Sequence, residues 1–391
     1  MTMNLSLLPL LTSVGRGVVF TCASIVVLSG CALSKPPQHS QLVTNALPAT
    51  TSLPAEWVAG ASANPVGDNW LKTFNDPGLD EVVAEAITNN LDLRQAAARV
   101  DAARSMVVVV GSRLKPQVGV DLGVATTRDE DHADWYSSEK ALAGVAWEPD
   151  LWGKLRARRD ASEADYQATA LDFAYARQSL AATTAKSWYL NIETSQLLGM
   201  AEQMVGIYSN LLELAKFRRD AGKVADLDVA EASADFNAAQ SGLRSAQGLA
   251  KETRRSLEAL LGRYPAAELE VADTYAVVPP PIQAGLPSSL LERRPDLVAA
   301  ERLVLSAFRS EEADKLALLP SFKLNLDGGR LSDNLLSVMN INPWMLNAAL
   351  GLSVPIYTGG ALRARVEIAS AQQQEAVSGY GAAALTAFRE V

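Results

Sequence analysis

Hydrophobic and polar positions follow two rhythms along this chain, and the change from one to the other marks out its elements. Between residues 117 and 124 the period is two: Val118, Val120, Leu122 and Val124 alternate with Gln117, Gly119, Asp121 and Gly123. The same period returns at Phe322, Leu324 and Leu326 against Ser321, Lys323, Asn325 and Asp327. It returns again at Leu346, Ala348, Leu350, Leu352 and Val354 against Asn347, Ala349, Gly351 and Ser353. Lys140 to Glu148 is a weaker fourth stretch. Successive strand side chains point to opposite faces, so each stretch predicts a strand with one apolar and one polar face. Segments of about ten residues with this pattern fit a membrane barrel with a polar interior. A half-buried sheet of a water-soluble domain has the same pattern.

Between Pro149 and Pro265 there is no proline, and the period becomes helical. An outgoing arm from about Lys154 to Arg219 would extend about 100 Å at 1.5 Å per residue. It is too polar to span a bilayer. Leu197, Met200, Met204, Ile207, Leu211 and Leu214 recur at alternating steps of three and four, and predict the packing seam of this arm. The returning arm carries Val229, Ala232, Phe236, Ala239, Leu243, Ala246 and Ala250, with Leu257 and Leu260 beyond. A mean step of 3.5 is that of a coiled coil. In the turn between the arms, Gly222 suits the left-handed position after a helix end and Asp226 suits the N-cap of the next helix.

The chain is also duplicated. Asn90-Leu91-Asp92-Leu93 recurs as Arg294-Pro295-Asp296-Leu297, and the Lys115-Pro116 corner as Leu319-Pro320, both 204 residues on. Leu155-Arg156-Ala157-Arg158 recurs 207 residues on as Leu362-Arg363-Ala364-Arg365. Each half reads helix, strand, loop, strand, long helix. Two β-hairpins supply four strands, too few to close around a lumen. If they lie in lipid, their open edges leave backbone groups unpaired at several kcal/mol each, and three copies, giving twelve strands, would remove the edges.

The N-terminus changes the picture of where the chain works. Arg16 precedes an apolar run, Gly17 to Leu28, of signal-peptide length. The run ends in Leu28-Ser29-Gly30-Cys31, which resembles the lipobox of bacterial lipoproteins. That resemblance implies acylation at Cys31 and removal of residues 1–30, with Ala32 matching the pattern for outer-membrane sorting. Residues 31–63 then read as a lipidated tether rich in Pro, Ser, Thr and Gln. Residues 64–282 form the first repeat, with a β-hairpin at about 117–148 and a helical hairpin at about 154–262. Residues 283–391 form the second, with a β-hairpin at about 321–356 and a long helix at about 360–391.

Composition narrows the chemistry. A net charge of −9 over 391 residues argues against nucleic acid, which demands concentrated Lys and Arg. Two histidines and two cysteines leave little for a metal site or a disulfide framework. No nucleophile elbow, Walker loop, zincin or dinucleotide motif occurs. The expectation is a protein without catalytic residues, metal or cofactor. The stretch Arg128 to Ser138, with Trp135 and Tyr136, reads as an extracellular loop.

Two motifs carry a family resemblance. Trp70-Leu71-Lys72-Thr73-Phe74-Asn75-Asp76-Pro77-Gly78-Leu79 and Leu286-Pro287-Ser288-Ser289-Leu290-Leu291-Glu292-Arg293-Arg294-Pro295-Asp296-Leu297 resemble segments of the TolC-like outer-membrane efflux family, in its NodT-type lipoprotein branch. The resemblance spans about Trp70 to Val391. It implies a mainly α fold with a small β part: helical hairpins forming a periplasmic α-barrel and β-hairpins contributing to a trimeric, 12-stranded outer-membrane β-barrel. It implies a passive export duct for small molecules, lipid-anchored in the outer membrane, working with a periplasmic adaptor and an inner-membrane transporter. The segment from Gly222 to Asp228 resembles the family's hairpin tip, so that Gly222, Ala225, Asp226 and Asp228 would meet the adaptor, with Ala225 where serine is common. Arg293, Arg294, Pro295 and Asp296 read as structural, Pro295 opening a helix and Asp296 favouring its positive end.

In one respect the chain departs from the pattern. About 110 residues of helical hairpin follow Pro149, whereas 36 follow Pro355. The second repeat is therefore expected to be incomplete, without the second tip, where the family places its gate. The reading that follows is a partial record of a longer chain, or a truncated product without function. Other readings are a protein-secretion channel and a structural coiled-coil lipoprotein, the latter disfavoured by the amphipathic strands.

Overall fold

The computed structural model describes residues 35–51, 57, 70–127, 136–272, 274–276, 278, 286–332 and 345–391. In chain order the helices are α1 (His39–Ala46), α2 (Pro77–Asn89), α3 (Leu91–Ser112), α4 (Lys154–Asp220), α5 (Asp226–Leu260), α6 (Pro287–Arg293), α7 (Pro295–Leu316) and α8 (Ala361–Glu390). A short 3₁₀ turn spans Trp70–Phe74. The strands are β1 (Gln117–Thr127), β2 (Tyr136–Trp147), β3 (Ser321–Ser332) and β4 (Met345–Ser353). The duplication is visible in the elements, because α3 and α7 each have 22 residues and each leads into a hairpin and a long helix. Among the described residues no helix is long and apolar enough to cross a membrane. The signal, Cys31 and residues 128–135 of the expected loop lie outside the described residues.

The chain divides into two compact units, each drawing on both repeats. The first comprises Met1–Ser52, Asp101–Thr169 and Leu297–Glu390 and holds the sheet, four antiparallel strands in the order β1-β2-β3-β4. The corner into α4 is fixed by Asp150, whose carboxylate accepts the backbone N–H groups of Leu155 (3.0 Å) and Arg156 (2.9 Å). These are two of the orphan donors at a helix start. The indole of Trp152 donates to the Pro320 carbonyl at 2.7 Å and ties this corner to the entry of β3. Part of the stretch expected to be a tether is ordered: α1 buries Leu42 against Val304 and Tyr380, and His39 meets Glu301 at 2.7 Å. Gly381 lies directly under the Ala46 carbonyl, where a Cβ has no room. Eight residues are too few to display a helical period, which is why the tether reading missed them.

The second unit, Leu53–Val100 with Ala170–Asp296 and Val391, has its core where α2 crosses the helical hairpin. Leu79, Val82, Val83 and Ala86 pack with Ala181, Ala185, Trp188, Ile192, Leu257 and Leu261, all buried. Each large side chain buried here contributes about 1.5–3 kcal/mol. Asn90 serves two helix ends at once. Its Oδ1 accepts from Leu93 N at the start of α3 (3.0 Å), and its Nδ2 donates to the Leu260 carbonyl at the end of α5 (3.1 Å). The loop after α5 is held by Glu258, whose carboxylate accepts the N–H groups of Ala267, Glu268 and Leu269 at 2.7, 2.7 and 2.9 Å.

Candidate channel wall and hairpin tip

Strand register decides which side chains share a face. Val118 lies opposite Val145, which faces Leu326, which faces Ala348; the next row is Val120, Ala143, Gly328, Leu346. This face is apolar through its middle, carries Arg330 and the buried Glu139 toward its far end, and leaves many apolar side chains open: Val118 is 78% exposed, Leu122 75% and Leu350 69%. The other face carries the rows Gly119, Gly144, Asp327, Asn347 and Gln117, Ala146, Asn325, Ala349. Asp121, Lys323, Asn325 and Asp327 therefore all stand on the polar face. An exposed apolar sheet face of this extent marks an interaction surface, of membrane or protein. The outer edges of β1 and β4 have no partner strand within the sheet.

The helical hairpin corrects one expectation. The row Leu197, Met200, Met204, Ile207, Leu211 and Leu214 is not the seam between the two arms, for these residues are 39–53% exposed. Asn191 donates through Nδ2 to the Thr253 carbonyl at 3.1 Å, which sets the antiparallel register symmetrically about Gly222. That symmetry places Leu198 opposite Ala246, Ala201 opposite Leu243, Val205 opposite Ala239, Tyr208 opposite Phe236, Leu212 opposite Ala232 and Ala215 opposite Val229. These residues of both arms are half-buried, and Leu212 is buried. The intrachain seam on α4 thus runs one residue C-terminal to the expected one, about 100° round the helix. Helix α4 has two apolar seams side by side, one used within the chain and one open. The sequence signal favoured the open row because it is all Leu, Met and Ile, whereas the used row contains Ala201, Tyr208 and Ala215.

At the tip, α4 closes with Gly222 at φ +70°. Gly222 N donates to the Arg219 carbonyl (2.8 Å) and Lys223 N to that of Arg218 (2.9 Å), the paired closure that lets a helix reverse. The expected N-cap is also corrected. Ala225, not Asp226, is the N-cap of α5; Asp226 is the first helical residue, and Asp228 reaches back to accept from Ala225 N at 2.7 Å. Half of a capping box is therefore present, since alanine lacks the hydroxyl that would complete it. Gly222, Ala225, Asp226 and Asp228 lie together in one short exposed turn, with Leu227 67% exposed between the acids.

The two motifs have structural work. Asp76 accepts from Leu79 N (3.1 Å) as the N-cap of α2, and its second oxygen accepts from the Trp188 indole (3.0 Å) and the Tyr189 hydroxyl (3.4 Å). Trp70, Phe74, Tyr189 and Tyr275 form a chain of ring contacts beside it. Burial first, and then the charge and hydrogen bond of Asp76, push the Tyr189 hydroxyl up to about 12. In the second motif Pro295 opens α7, and Arg294 grips Asp296 through two hydrogen bonds of 3.0 and 2.8 Å while its guanidinium lies over the Tyr175 ring. Burial, and then the nearby charge of Asp296, raise the Asp172 carboxyl. Asn191, Thr194 and Thr253 form a buried polar layer between the arms that the hydrophobic pattern did not reveal; an interruption in the apolar run was its only trace.

A chain with two helical seams, an apolar sheet face and two open sheet edges has the architecture of a wall segment that mixes helical and β-barrel parts. It belongs to the outer membrane efflux protein family, whose model matches residues 82–263 and 286–391. Membership makes it an outer-membrane channel component of an efflux system. It is 29% identical over 356 residues to the pyoverdine export outer membrane protein OpmQ of Pseudomonas putida, covering 86% of this chain and 75% of that one. It is 29% identical over 379 residues to the toluene efflux pump outer membrane protein TtgF of Pseudomonas putida, covering 94% and 78%. The outer-membrane channel OprN superposes with a TM-score of 0.77 at 26% identity, covering 92% of this chain and 81% of that one.

Proposed function

We propose that three copies of this chain assemble into one passive duct for small molecules, anchored in the outer membrane through acylated Cys31. The observation that carries the reading is the pair of adjacent seams on α4. A free-standing hairpin has use for one seam, whereas a helix in a closed wall touches a neighbour on each side. The apolar Leu197-to-Leu214 row would then pack on the next subunit. In the same assembly β1 of one copy pairs with β4 of the next, which turns four strands into twelve and removes the unpaired edges, each worth several kcal/mol in lipid. The apolar face with Val118, Val120, Leu122 and Leu350 meets lipid and the polar face lines water. A helix of 67 residues, about 100 Å long, suits passage across a periplasmic space.

The tip turn, Gly222 to Asp228, is the docking point for a periplasmic adaptor, and an inner-membrane transporter supplies the energy. The duct itself performs no chemical step, so its function lies in width, charge and closure. Purified protein inserted in a planar bilayer tests this reading. Discrete, long-lived conductance steps support it, and a protein that inserts yet never conducts contradicts it.

A further inference from the structure

The polar face of the sheet carries four charged side chains among the described residues: Asp121, Lys140, Lys323 and Asp327. Two of them cancel. Lys140 Nζ lies 2.8 Å from Asp121, and its aliphatic stem crosses the wall over Gly123, where a Cβ would collide with it. The other two stand apart. Lys323 is exposed beside Gly351, and Asp327 rests over Gly144, where an added Cβ would strike its Oδ1. Four residues separate them on β3, about 13 Å at 3.3 Å per residue. That exceeds the screening length of about 8 Å at physiological ionic strength, so neither charge neutralises the other.

We infer that Lys323 and Asp327 are the charge-selecting residues of the part of the lumen that the sheet lines. The inference rests on the three-copy duct proposed above. In that duct the two residues recur three times, giving a level of three ammonium groups and, further along the strand, a level of three carboxylates. The opposed charges of Asp121 and Lys140 form a compensated pair that adds no net charge to the wall. The glycines at 123 and 144 let Lys140 and Asp327 lie flat, which keeps the passage wide while leaving the charge at the wall. A permeating anion meets one attractive and one repulsive level, and a permeating cation the same two levels with the signs exchanged. The sheet's own contribution to ion preference is therefore weak, yet each level shifts the preference in an opposite sense.

Reversal potentials across planar bilayers holding a KCl gradient test this, with K⁺ and Cl⁻ as the probes. Lys323→Gln is expected to raise the K⁺/Cl⁻ permeability ratio, and Asp327→Asn to lower it, each by about two-fold at 0.1 M salt. Both shifts should fade toward 1 M, where the screening length falls to about 3 Å. To separate charge from folding, Lys323→Cys is assembled first and then modified in the bilayer with thiol reagents. A cationic reagent should return the ratio to that of the unsubstituted protein, and an anionic reagent should drive it beyond Lys323→Gln. Channels of normal conductance whose ratio ignores these changes would overturn the inference and leave the duct reading intact. Absence of channels from the unsubstituted protein would overturn the duct reading, and this inference with it.

Discussion

Replacing Asp76 by alanine should loosen α2 without unfolding the chain, and the size of the effect follows from three hydrogen bonds. One carboxylate oxygen accepts Leu79 N at 3.1 Å, and losing such a cap costs about 1 kcal/mol. The other accepts the Trp188 indole at 3.0 Å, a bond to a charged acceptor worth about 1.5–3 kcal/mol, and its loss leaves the N–H of a buried tryptophan unpaired. The Tyr189 hydroxyl at 3.4 Å adds little. About 3 kcal/mol in total corresponds to about a 100-fold rise in local opening. Hydrogen–deuterium exchange followed by mass spectrometry reads this directly in peptides from Pro77–Asn89. Asp76→Asn keeps an acceptor for Leu79 N and loses the charge, so it should accelerate exchange by about ten-fold. Exchange in Asp76→Ala within about three-fold of the unsubstituted protein would refute the assignment of Asp76 as the pin of this motif. The same variant has a spectroscopic signature: the Tyr189 hydroxyl, now at about 12, should ionise at lower pH because its charged neighbour has gone. A raised tyrosine contributes stability that is complete below its ordinary value of about 10, and that is lost as pH climbs toward 12.

Three further outcomes follow from other parts of the molecule. Ala225→Ser supplies the missing hydroxyl of the capping box and should stabilise the start of α5 by about 0.5–1 kcal/mol, read as slower amide exchange at residues 226–228. Ile207→Glu, on the open seam, should abolish oligomers while leaving the helical circular dichroism of the subunit intact, whereas Val205→Glu, on the seam shared by the two arms, should also reduce helicity. Burial opposes charge on Glu258, but the backbone N–H groups of Ala267, Leu269 and Glu268 together hold its carboxyl below the ordinary range. Its contribution is therefore complete above the ordinary glutamate value of about 4.3 and is lost as pH falls below it, so proteolysis of the loop at 262–270 by an acid-active protease should increase there and not at pH 6.

The strands and the long hairpin were legible because both are periodic over many residues. Strand boundaries at Gln117, Trp147, Ser321 and Ser353 fall close to those set by the alternation, since a shift of one residue would exchange the faces. Pro295 and Asp296 were readable from helix-start chemistry alone. Reading failed where a property depended on a partner in space. The two rows on α4 differ by one residue, and hydrophobicity ranks the Leu and Met row above the row with Ala201 and Tyr208, although the second is the one α5 covers. The N-cap was misplaced by one residue because aspartate favours both the cap and the first turn, and only the position of the Asp228 carboxylate distinguishes them. Helix α1 was missed because its docking depends on Val304 and Tyr380, more than 260 residues away in sequence. The compensation of Asp121 by Lys140 was equally out of reach, since it requires the register of β1 against β2.

The most direct test of the account is the native mass of the protein extracted from outer membranes in mild detergent. A complex of three identical subunits, dissociated by heat and lost in Ile207→Glu, is the predicted result. A stable single subunit, with the Leu197-to-Leu214 row accessible to solvent and no larger species at any extraction condition, would contradict it.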